Sequence, residues 1–86
     1  MEIEFPDSYE YNLDMQIAHV IVEGIPALRG KGYPVGITPE EWDQILTDIE
    51  EGFKEYRDMY DRMTLDASKF NRAMDLLIEW FSSLWW

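Results

Sequence analysis

The chain contains no cysteine, which excludes a disulfide framework and any thiolate metal site and fits a reducing setting. Basic residues are scarce. Seven Lys and Arg stand against 18 Asp and Glu, a formal net charge of −11. A field of that sign repels phosphate backbones and anionic lipid, so direct nucleic-acid binding and membrane contact are disfavoured. No apolar run approaches the roughly 20 residues that cross a bilayer. The first residues, "MEIEFPDSYEY", lack the basic start and apolar centre of a secretory signal. The expectation is a soluble cytoplasmic protein.

What is present is apolar and aromatic. With 86 residues the chain has room for one domain, 1–86, and a chain this short hides only about 60–65% of its unfolded surface. Dense packing must compensate, and a composition that is 47% hydrophobic, with four Trp, five Tyr and four Phe, supplies it. Intrinsic disorder is therefore not expected.

Three segments read as helices. "NLDMQIAHVIVEGIPALRG" places Leu13, Ile17, Val20 or Ile21, and Leu28 at helical spacing, with Asn12 as N-cap and Asp14 in the first turn. Gly24 and Pro26 predict a kink or short break there, and "VIVEGIP" is also compatible with a strand. After a Gly/Pro-rich loop, "GITPEEW" starts the second helix. Thr38 is its N-cap, Pro39 its first residue, Glu41 closes a capping box, and Ile37 and Trp42 form a staple. Apolar residues then recur at Trp42, Ile45, Ile49, Phe53, Tyr56, Tyr60 and Met63, predicting about 25 helical residues. Gly52 weakens that helix by roughly 1 kcal/mol relative to alanine unless a neighbour packs closely against it.

Thr64 or Asp66 caps the third helix, whose stripe is Phe70, Met74, Leu77, Phe81 and Leu84, widened by Ala73, Leu76, Ile78, Trp80 and Trp85. Three helices with short connections predict an all-α three-helix bundle, with an extended N-terminal arm in which "EIEF" alternates like a strand.

Enzyme constellations fail. "GIPALRGKG" has one residue too many for a phosphate loop and Gly32 where Ser or Thr would bind magnesium. His19 and Glu23, at i and i+4, could place two metal ligands on one face, but a solvated polar face accounts for them as well. No serine sits in a nucleophile motif, and no carboxylate pair stands out from the rest. No catalytic residue, metal site or cofactor is expected.

Two surfaces stand out instead. Glu41, Asp48, Glu51, Glu55 and Asp58 recur with Gln44 on one side of the second helix. They form a carboxylate ladder about 25 Å long at 1.5 Å per residue. Such a ladder can resemble a nucleic-acid strand to a basic groove. It is equally the solvated side of an amphipathic helix, laced by the i,i+4 pairs Glu50–Lys54 and Asp58–Arg62. The other surface is the ending "EWFSSLWW". Trp80 belongs to the core pattern, whereas Trp85 and Trp86 either fold back or meet another molecule, tryptophan being enriched at interface hot spots.

Read together, "NLDMQIAHVIVEGIPALRG", "GYPVGITPEEWDQILTDIEEGFKEY" and "AMDLLIEWFSSLWW" resemble a group of small, functionally uncharacterised proteins encoded by tailed bacteriophages. The likeness rests on Trp42, Leu46, Ile49 and Phe53 and on the ending Leu77, Phe81, Leu84 and Trp85. It implies a phage origin and action inside the bacterial host, and carries over no functional residue.

The leading expectation is a non-enzymatic protein that binds another protein, inhibiting a host defence or nucleic-acid-binding factor. Its candidate contacts are Glu41, Asp48, Glu51, Glu55, Asp58, Trp85 and Trp86. A second reading is an accessory subunit that self-associates through its Trp-rich end. A third is a nucleotide-binding protein using Arg57, Arg62 or Arg72 between helices.

Overall fold

The computed structural model describes residues 3–5, 12–59, 63–64 and 66–84. Among the described residues three helices are packed together, α1 (Leu13–Leu28), α2 (Pro39–Arg57) and α3 (Ala67–Trp80), followed by a 3-10 turn, Phe81–Ser83. Among the described residues there is no strand, and residues 3–5 have no regular structure.

Local chemistry sets the helix starts. Thr38 Oγ1 accepts from the Glu41 N–H at 3.1 Å, and the Glu41 carboxylate accepts from the Thr38 N–H at 3.4 Å, with Pro39 in the first turn. The third helix takes Asp66 as its cap, accepting from the Ser68 and Lys69 N–H groups at 3.1 and 3.3 Å. Asn12 occupies the N-cap position of α1, but its side chain makes no cap bond there; its carbonyl accepts from the Gln16 N–H at 3.0 Å.

The helix α1 runs unbroken through Gly24 and Pro26, so the expected break does not occur. Pro26 lies two residues from the last helical position, so its missing N–H costs the final turn one bond rather than dividing the helix. The helix α2 is shorter than the 25 residues expected. It ends at Arg57, where the Asp58 N–H reaches the Lys54 carbonyl at 2.9 Å, and Met63 stands 85% exposed with a left-handed φ of 59°. The chain must reverse there, because the Asp66 N–H donates to Glu55 at 2.9 Å. Tyr60 and Arg62 lie outside the described residues.

Packing centres on α2. Leu46 and Ile49 are its most deeply buried side chains, and Trp42 and Phe53 are buried on either side of them. On one flank α3 runs antiparallel to α2. Trp42 meets Trp80 edge to face at 5.7 Å, and Phe70 meets Phe53 at 5.4 Å and stacks on Tyr56 at 4.7 Å. Between these aromatic pairs Gly52 faces Ala73 so closely that no Cβ fits. The predicted stripe of α3 is accordingly rotated. Ala73 and Leu76 are its buried residues, while Met74 and Phe81 are exposed and Phe70, Leu77, Trp80 and Leu84 pack half-buried at the edge.

On the other flank α1 runs antiparallel to α2 and keeps Leu28 of the expected stripe buried and Ile21 half-buried, but turns the rest of that stripe outward. Met15, Ala18, Val22, Ile25 and Leu28 are buried, whereas Leu13, Ile17 and Val20 are exposed. Both stripes have helical periodicity, so pattern alone does not choose between them. Polar contacts from α2 do. Tyr56 donates to Asp14 at 2.6 Å, and Arg57 Nη1 lies 3.3 Å from Glu23 and 3.5 Å from His19 Nδ1. Arg29 is bonded to Asp43, to Thr47 at 3.0 Å and to Glu50 at 2.9 Å. These bonds fix both the rotation and the register of α1.

Candidate functional site

The packing leaves one side of the bundle open. Both α1 and α3 pack on α2, but no Cα of α1 comes within 8 Å of a Cα of α3 or of the 3-10 turn. Between them runs a groove of about 480 Å³, walled by Ile17, Val20 and Ile21 of α1 and by Leu77, Phe81 and Leu84, with Phe5 of the N-terminal segment also lining it. Among the described residues Gln16 is its one polar lining side chain, and none is charged.

The cause lies in α1. Gln16, His19 and Glu23 gather on one side, while the apolar side chains spread over roughly 200° of the remaining circumference at about 100° per residue. One neighbouring helix cannot cover so wide a face. The helix α2 covers the half formed by Met15, Ala18, Val22 and Ile25, leaving the half formed by Leu13, Ile17 and Val20 toward the groove. Sequence reasoning assigned that second half to the core. The signal that it is surplus, two overlapping apolar stripes on one helix, is present in the sequence.

The acidic residues are dispersed in role. Glu41 closes the capping box, Asp48 accepts from Gln44 at 2.9 Å, Glu55 takes the Asp66 N–H, and Asp58 accepts from Arg57 Nε at 3.2 Å. Glu51 is exposed and lines a cleft of about 350 Å³ with Gln44, Thr47, Asp48, Lys69 and Arg72. Two basic residues thus lie beside the middle of the ladder and lessen its negative field. Glu50, expected to pair with Lys54, is engaged by Arg29 of the neighbouring helix instead. Trp85 and Trp86 lie outside the described residues.

The remaining candidates hold the fold together. His19 donates from Nε2 to the Glu4 carbonyl at 2.7 Å and lies against Phe5 at 5.5 Å. Its neighbour Glu23 pairs with Arg57, so the i,i+4 pair serves the junction of α1 and α2. Arg57 is turned to α1, and Arg72 sits beside Thr47 and Glu51. Burial works against the charge of Arg29, but its bonds to Glu50 and Asp43 outweigh that effect and hold the guanidinium above its ordinary pKa. Asp14 is held below the usual carboxylate value chiefly by the Tyr56 hydroxyl, and Asp66 chiefly by the Ser68 hydroxyl.

Among the described residues, no three His, Cys, Asp or Glu side chains are grouped to hold a metal ion, and no helix is long and apolar enough to cross a membrane. Comparison of the chain with protein-family models, curated proteins and solved structures finds no match.

Proposed function

We propose that this is a non-enzymatic protein that acts by binding another protein, with the open groove between α1 and α3 as its contact surface. One observation carries the proposal: Leu13, Ile17 and Val20 are exposed in a row on α1, facing a groove with no charged lining residue among those described. A contiguous apolar surface of this kind on a small domain marks an interaction site, and a groove between two helices suits an apolar helix face laid along it. The resemblance to phage-encoded proteins bears on the second reading below, in which a host protein is the partner and is inhibited by the contact.

A photo-crosslinking residue at position 17 tests this in bacterial cells. The protein should form a discrete adduct from position 17 and none from the fully exposed position 35. Adducts from position 35 alone would sink the groove as the contact.

A second reading keeps the acidic side of α2 as the contact, favoured by the net charge of −11. It predicts that Asp48→Lys with Glu51→Lys abolishes binding. Glu55 is a poor site for such a test, because reversing it also removes the bond to the Asp66 N–H.

A further inference from the structure

We infer that the groove takes a second copy of this chain, so that the protein forms a two-fold dimer through α1 and the end of α3. The inference rests on the reading of the groove as a protein-binding surface and names its occupant.

The helix α2 packs against two helices that do not touch each other, which is the arrangement of a four-helix bundle lacking the member between α3 and α1. A helix that fits there needs apolar side chains at i, i+4 and i+7. The groove's own wall presents that pattern outward, as Leu13, Ile17 and Val20, with Gly24 one turn further on. A two-fold axis beside α1 lets each copy supply this ridge to the other's groove, the self-complementary contact that closed dimers use.

Area and charge agree. Leu13, Ile17, Val20, Ile78 and Phe81 are 39–74% exposed. At roughly 200 Å² for a large apolar side chain they offer at most about 600 Å² between them, short of the ~800 Å² per partner of a standard interface and in the range of a small, weak one. Ile78, in the last turn of α3 just before Phe81, is counted as the outer margin of the patch, beyond the groove's own lining. A basic helix would find no carboxylate among the lining residues to pair with, whereas an identical uncharged face loses nothing by entering.

Sedimentation equilibrium of the full chain tests this, from about 5 to about 500 µM, a range in which a self-association shows its concentration dependence. The mass should rise from 10.3 kDa towards twice that value. Ile17→Glu and Ile78→Glu should each weaken association at least tenfold with unchanged circular dichroism, and Val35→Glu should leave it intact. Two bodies of charge −11 repel, so raising salt from about 50 to about 500 mM should tighten the dimer by screening.

A full chain that stays monomeric throughout overturns the inference. So does a dimer indifferent to Ile17→Glu and Ile78→Glu, or one loosened by salt. If the chain is monomeric yet position 17 still crosslinks to a different polypeptide, the groove is a binding surface for another protein and only the second copy is wrong. If deleting Trp85 and Trp86 turns a monomer into a dimer, the chain's own end fills the groove, and the inference fails for the intact protein.

Discussion

A Cβ placed on Gly52 would lie 2.3 Å from the Cβ of Ala73 and 2.5 Å from the carbonyl oxygen of Lys69. Real atoms do not approach so closely, and a backbone carbonyl cannot swing aside. The seam between α2 and α3 therefore closes only because position 52 has no side chain.

Gly52→Ala sets two effects against each other. Alanine favours the helix by about 1 kcal/mol, but overpacking at a contact this tight costs about 1–3 kcal/mol. The clash involves backbone, so we expect net destabilisation, read as a lower urea midpoint. A raised midpoint would show that the two helices are further apart than described.

Arg29 joins the end of α1 to three side chains along α2. Its side chain is 31% exposed, so solvent screening keeps the gain modest. A double-mutant cycle of Arg29→Met with Glu50→Gln should give a coupling of about 0.5–1 kcal/mol that shrinks with added salt. A coupling of zero would mean that the Arg29–Glu50 pair contributes nothing to holding α1 against α2.

Acid should weaken the fold through Asp14 and Asp66. Both carboxyls are lowered in the folded state from the ordinary value of 3.8, so the unfolded chain takes up their protons first. Their stabilisation is complete above that ordinary value and is lost as pH falls through it to the lower folded values. Tyr56→Phe removes the chief cause for Asp14 and should flatten the acid limb of a melting-temperature profile. An acid limb identical to that of the unmutated chain would count against the Tyr56–Asp14 bond.

Leu46 is 1% exposed at the centre of the bundle. Leu46→Ala should cost about 2–5 kcal/mol, a large part of the stability of so small a domain, and should leave the chain largely unfolded at 37 °C. Val35→Ala, at a loop position in full contact with solvent, should stay within about 0.5 kcal/mol. Thermal denaturation of the pair checks both.

Some of the fold was legible because the responsible interactions are local. The capping box of Thr38 and Glu41 spans three residues, and the Asp66 cap three more. Of the stripe read along α2, Trp42, Ile49 and Phe53 are buried and Ile45 is half-buried, while Leu46, outside that stripe, is buried beside them. The end of α2 was not legible, because its turn depends on Glu55 meeting Asp66 eleven residues later.

The groove divides in the same way. The sequence by itself determined that α1 carries more apolar side chains than one neighbour can cover, since that surplus is a property of residue order and helical period. Only the tertiary structure decided which half faces inward. Two stripes of equal period differ little in hydrophobic free energy, and the choice falls to directional bonds from Tyr56 and Arg57 and to those of Arg29, between residues distant in sequence. Those bonds turn Ala18 and Val22 to α2 and leave Ile17 and Val20 facing the groove.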